Sequence, residues 1–406
     1  MLAERNAGHT DFAEVDPRQA EAMKNADVTE LRQLLRNGTV TSVDMVNYFG
    51  SRCQTVGREL CLSTQELFTS ALDQADKCDQ LRAAAREGIH GFTEDNLGFL
   101  HGIPVSIKEL FSMEGLLSTV GTAMLDQPRT TDSEAVFAFT DAGAIPLVRG
   151  NVPQGALSYH SENYVWGRAQ NAHQRDRSCG GSSGGDAGLV AARCVPMALG
   201  SDVGGSIRIP ATFNGVTGFK PTQTRLSYRG GCDARLSGYT ANSAHLMAVA
   251  GPLAHSVNDC LEAFKAQCIA EPHLRDPNIA PLNFNDRMLE RIHEDHSQVK
   301  VGVLEEVPFL PVSRAVRRAI ARSRKALEDE GYQIVDVTFS AEDFAEGRNL
   351  LIGMVSSGTG PGLIRDLEAS GEQLSAGVWA NLFLLKQGWL GRTLVQGILS
   401  ITSGNR

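Results

Sequence analysis

The sequence predicts an α/β fold built on a large mixed, mostly parallel central sheet covered by helices. Three observations predict it. Short apolar runs bounded by glycine and proline alternate with segments of helical period. No window reaches the 18 consecutive apolar residues that would mark a membrane span. The composition, 42% hydrophobic and 21% charged over 406 residues, is that of a globular chain long enough to bury a sizeable core.

The elements follow in order. Asp27 to Arg36 carries apolar residues at 28, 31, 34 and 35 and closes on Asn37-Gly38, which reads as an amphipathic helix. Thr41-Ser42-Val43-Asp44 then has the pattern of a cap for a second helix running towards Cys53. From Leu100 the texture changes. Gly102 to Ile107 and Ala144 to Val148 read as buried strands with a helix from Ser133 to Ala142 between them, the repeat of a parallel sheet. Residues 178–222 hold ten glycines between Gly180 and Gly218, interrupted by a helix-like piece at Gly188 to Val195 and a strand-like one at Pro196 to Gly200. The region is therefore no flexible linker. Gln298 to Leu304 reads as a strand, Ser313 to Glu330 as a helix stopped by Gly331, and Tyr332 to Phe339 as a further strand. The apolar stretch 378–401 falls into two helical pieces with Gly388 between them. A core hairpin is the first reading of it. An interfacial, membrane-dipping element is the second, since Trp379 and Trp389 suit the headgroup level.

Charge and cysteine usage narrow the function. Lys plus Arg number 38 against 47 for Asp plus Glu, a net charge of -9, so nucleic acid is not an expected partner. The opening residues have neither a basic n-region nor an apolar h-region, and the eight cysteines form no C-x-x-C pair. An intracellular chain with free thiols is expected, either cytoplasmic or peripheral on an intracellular membrane. The histidines show no metal-ligand spacing, so no metal site is expected.

The glycine-rich region carries the chemistry. A phosphate cradle lacks its G-x-x-x-x-G-K-[ST] pattern. Gly180-Gly181-Ser182-Ser183-Gly184 satisfies G-x-S-x-G literally, but a polar segment precedes it where a nucleophile elbow needs a buried strand. Ser106-Ile107-Lys108 is S-x-K, not S-x-x-K, which excludes the β-lactamase pattern. What remains is a serine hydrolase without histidine. The consecutive residues Val203, Gly204, Gly205 and Ser206 let backbone N–H groups converge on one oxyanion, with Ser206 placed to attack the same carbonyl. An unassisted hydroxyl is a weak nucleophile, so a base must come from elsewhere in the chain.

Three blocks, Gly181-Ser182-Ser183-Gly184-Gly185, Asp202 to Pro210 and Gly218-Phe219-Lys220-Pro221-Thr222, together resemble the amidase signature family. Leu100 to Lys108 resembles the strand on which that family carries its lysine. Asn151 to Gln154, Leu157 to Tyr159 and Asp276-Pro277 point to its fatty acid amide hydrolase branch. The resemblance runs from about residue 27 to the end, which makes residues 1–26 an N-terminal extension and 27–406 the amidase signature domain.

Carried over residue by residue, Ser206 resembles the acyl-forming nucleophile, Ser182 a bridging serine on a cis peptide, and Lys108 the terminal base. The implied oxyanion and substrate-binding positions are Val203, Gly204, Gly205 and Ser206 with Ala156 and Ser182. Asp202, Arg208 and Ser183 resemble residues that brace the loop. The implied activity is hydrolysis of carboxylic amides, fatty acid amides above all, through an acyl-enzyme and with no cofactor. The implied associations are a small amide substrate, peripheral membrane contact and a homodimer. Family members continue beyond the point matching residue 406, so a C-terminally truncated form with the site present and little turnover is a second expectation. A general short-chain amidase is a third.

Overall fold

A computed structural model describes residues 1–124, 127–231, 248–296, 299–308, 311–358, 367 and 371–379. The chain divides into two compact units, the first formed by Met1–Leu282 with Gly358–Leu382 and the second by Asn283–Ser357 with Phe383–Arg406.

The strands of the first unit are β1 (Ser63–Glu66), β2 (Pro104–Lys108), β3 (Ile145–Gly150), the short pair β4 (Glu162–Asn163) and β5 (Gly167–Arg168), β6 (Met197–Asp202), β7 (Thr217–Gly218) and β8 (Val249–Ala254). Six of them form one sheet in the order β1-β3-β2-β6-β8-β7. β3, β2 and β6 pair in parallel at its centre, while β1 and β8 run against them. β7, antiparallel to β8, points the same way as the central three, so the expected mixed, mostly parallel sheet is present. Every residue of β2, β3 and β6 is buried, which is why these strands read as continuous apolar runs rather than alternating ones.

The helices of this unit are α1 (Leu2–Ala7), α2 (Pro17–Lys24), α3 (Val28–Arg36), α4 (Ser42–Arg52), α5 (Phe68–Arg86), α6 (Glu134–Asp141), α7 (Gly184–Ala191), α8 (Arg208–Asn214) and α9 (Val257–Ile269). α3 and α4 start where the sequence places them, each on a capping box, Asp27 with Glu30 and Thr41 with Asp44. Their first turns are also held from a distance. Asp259 of α9 accepts the Val28 and Thr29 amides at 3.1 Å each, and Asp79 of α5 accepts those of Ser42 at 2.8 Å and Val43 at 3.1 Å. Residues 1–26 supply α1 and α2 and bury Met23.

α5 and α9 go unmarked in the sequence reading. α5 buries Phe68, Ala71, Ala75, Arg82 and Ala85, a face made mainly of alanine that leaves a faint apolar stripe. β8 is likewise hidden by Gly251-Pro252, a pair that reads as a turn.

The second unit contains α10 (Asp286–Glu294), β9 (Lys300–Val303), α11 (Arg314–Asp329), β10 (Gln333–Asp336) and α12 (Ala341–Gly358). β9 and β10 pair in parallel, with α11 as the crossover between them. Of the apolar stretch 378–401, only Val378, buried, and Trp379, 57% exposed, are described; the rest of the expected hairpin lies outside the described residues.

Candidate active site

Three chain segments meet at the C-terminal end of β2. Ser106 and Lys108 stand two residues apart on that strand and so share one face. Lys108 is fully buried, and its Nζ lies 2.7 Å from the Ser182 Oγ and 2.9 Å from the Ser201 Oγ, where it donates to both hydroxyls. Burial lowers its ammonium pKa from 10.5 to about 7, against the pull of the Asp186 and Asp202 carboxylates. At neutral pH a large share of this amine is therefore unprotonated and can accept a proton.

Ser182 follows a cis peptide, Gly181–Ser182, in the turn ahead of α7. The turn is seated tightly. A Cβ on Gly181 would stand 2.6 Å from the Ser158 carbonyl oxygen, so no side chain fits there. Ser183, also buried, locks the segment to its neighbours. Its hydroxyl donates to the Ser201 carbonyl at 3.3 Å, and its N–H donates to the Ser206 carbonyl at 3.0 Å.

The loop after β6 is organised by Asp202. This buried carboxylate accepts the Gly205 amide at 2.8 Å, the Ile207 amide at 3.1 Å and a bidentate pair from Arg208 at 3.0 Å each. Burial pushes its pKa up, but the Arg208 guanidinium and the loop amides outweigh that and hold it below the usual carboxylate range. The result is a braced loop at whose centre Gly205 takes φ +114°, a conformation that favours glycine.

This bracing engages one of the amides expected at the oxyanion. The Gly205 N–H donates to the Asp202 Oδ1. The amides of Val203, Gly204 and Ser206 have no partner among the described residues. Ala156, expected at the substrate, lies half-buried in a turn at φ +56°, with its own N–H donated to the Pro153 carbonyl at 2.9 Å. The neighbouring Gln154 anchors residues 371–379 by accepting the Ser375 amide and donating to the Gln373 carbonyl, at 2.9 and 3.0 Å.

Lys108, Ser182 and Ser183 are thus linked by hydrogen bonds, directly or through Ser201, while Asp202 and Arg208 bond to each other and join that group only along the chain after Ser201. Ser206, half-buried, joins through its backbone, and its hydroxyl has no hydrogen-bond partner among the described residues. In unliganded sites a nucleophile's bond to its base commonly tightens only when substrate arrives. Four neighbours of the site have no role assigned from the sequence: Ser201, Ser106, Asp186 and Tyr159, whose hydroxyl donates to the Gly204 carbonyl at 3.4 Å. Ser201 sits beside the lysine only because β6 lies next to β2, a pairing that spacing along the chain does not announce.

The amidase family profile matches residues 44–365, most of the chain. The chain belongs to the amidase family. Within it, fatty-acid amide hydrolase 1 of Sus scrofa is 35% identical over 59% of this chain and 40% of its own length. An acetamidase of Emericella nidulans is 29% identical over 86% of this chain and 61% of its own. The solved structure of a fatty acid amide hydrolase matches with a TM-score of 0.78 and 25% identity, covering 91% of this chain and 62% of that one. The chain therefore spans between two fifths and two thirds of these family members. Among the described residues no helix is long and apolar enough to cross a membrane.

Proposed function

We propose that this chain hydrolyses carboxylic amides through a Ser206–Ser182–Lys108 proton path. The observation that carries the reading is the buried Lys108 amine, 2.7 Å from the Ser182 hydroxyl in a loop tied to Ser206. Neutral Lys108 takes a proton from Ser182, and Ser182 takes one from Ser206 as its oxygen attacks the amide carbon. The tetrahedral oxyanion is held by the amides of Val203, Gly204 and Ser206. Collapse breaks the C–N bond, Ser182 returns the proton to the departing amine, and water then releases the acid from the acyl-serine. Long-chain amides are the proposed substrates, on the resemblance to the fatty acid amide hydrolase branch and the apolar sequence of 378–401. Peripheral membrane contact through that stretch, and a homodimer, belong to the same proposal.

A fluorophosphonate probe tests the nucleophile. Intact-mass analysis of the whole chain is expected to show one adduct, lost in Ser206→Ala; an adduct that persists in that variant overturns the assignment. Relative kcat/KM for oleamide and acetamide decides the substrate class. Preference for oleamide supports the long-chain reading. Preference for acetamide transfers it to the short-chain one, which the acetamidase relative favours.

A further inference from the structure

Asp186 is a buried carboxylate that the proton path does not use. It stands in the first turn of α7, four residues after Ser182, and is completely buried. Its Oδ1 accepts the Ser106 hydroxyl at 2.8 Å, whereas its Oδ2 has no hydrogen-bond partner among the described residues. A buried carboxylate oxygen left without a donor costs free energy, so packing alone would disfavour an ionisable group at this position.

The sheet register shows what that charge faces. Lys108 of β2 pairs with Gly150 of β3, and the Asp186 carboxylate lies directly over Gly150, so close that a Cβ there would run into Oδ1. Ser106, which fixes the carboxylate, is on the same face of β2 as Lys108. Asp186 is therefore held beside the lysine by a strand, a missing side chain and a hydroxyl, without an ion-pair contact to it.

We propose that Asp186 is a positioning residue for the base: its carboxylate supplies the negative charge that keeps the buried Lys108 amine basic enough to drive proton transfer. This rests on the proposed role of Lys108. Burial alone would depress the amine further and leave it a weak acceptor, while transfer is most efficient when base strength matches the working pH. The attraction of Asp186 is the largest influence opposing burial at Lys108, ahead of Asp202. Burial raises the Asp186 pKa itself from 3.8 to about 7, against the Ser106 bond and the Lys108 charge, so the carboxylate gains its charge as pH rises through the range in which the base works.

Other ionisable groups surround the pair. Asp202 of β6 is occupied by Arg208 of α8, and Arg149 of β3 also acts on Asp186. Glu109, next to Lys108, accepts from Thr119 and Val120. Glu66 of β1 is paired with Arg58. The Cys179 thiol, pushed up to about 12 by burial, is uncharged at neutral pH, and β8 carries no ionisable residue.

The test is the pH dependence of fluorophosphonate labelling rate, which reads the base in the free enzyme. The wild type is expected to show an acid limb that Lys108→Met removes. Asp186→Asn keeps the shape and the Ser106 bond but not the charge, and is expected to move the limb down by about one pH unit or more and lower the plateau severalfold. Ser106→Ala, which makes Asp186 harder to ionise, is expected to move it the same way by less, and it carries the test if Asp186→Asn does not fold. A limb present in the wild type, absent in Lys108→Met and unmoved in the variant tested overturns the Asp186 proposal alone. A limb that survives Lys108→Met overturns the Lys108 reading and this one with it.

Discussion

Lys108 is the residue on which charge, burial and chemistry converge. Its pKa of about 7 in the folded chain, against 10.5 for an exposed lysine, fixes the sign of two pH effects. Below about 7 the amine is protonated and cannot accept from Ser182, so kcat/KM for an amide is expected to climb as pH rises through 7 and then level. The folded form releases this proton at lower pH than the unfolded chain does. Wild-type stability should therefore gain on that of Lys108→Met as pH rises from 7 towards 10, as urea titrations at several pH values would show. A flat activity profile from pH 6 to 8 would contradict the first effect, and a constant stability difference the second. Lys108, Ser182 and Ser206 stand in recognisable sequence blocks. Ser106, Ser201 and Asp186 are ordinary polar letters until β2, β6 and α7 are brought together.

At the scale of elements, glycine marks where helix and sheet come closest. Gly185, in the first turn of α7, lies against the ends of β1 and β3, and a Cβ there would collide with the Asn151 amide and the Leu62 carbonyl. Both obstacles are backbone and cannot swing aside. Gly185→Ala is expected to cost about 1–3 kcal/mol in urea unfolding, as overpacking does. Gly347 in α12 faces open space, and its replacement by alanine should add about 0.5–1 kcal/mol. Equal effects at the two positions would contradict this account of the α7 contact. The sequence shows α3, α4, α6 and α11 because their caps and apolar spacing are local. It hides α5, whose buried face is mainly alanine, and β8, whose Gly-Pro pair imitates a turn.

At the scale of the whole molecule, the site exists because a six-stranded sheet sets three distant segments side by side: residue 108 on β2, residues 181–183 ahead of α7, and residues 201–208 at the end of β6. The fold class is legible from the alternation of buried runs and helices. The division at residue 282 is not, because no proline, glycine or charge run there differs from those in other loops. The central claim is that Lys108 and Ser182 act as one proton path rather than as two independent aids. The measurement that tests it most directly is kcat/KM for amide hydrolysis by Lys108→Ala, Ser182→Ala and the double variant. A single path predicts that each substitution lowers kcat/KM about 10²–10⁴-fold and that the double variant is no worse than the poorer single one. Losses that multiply in the double variant would contradict it.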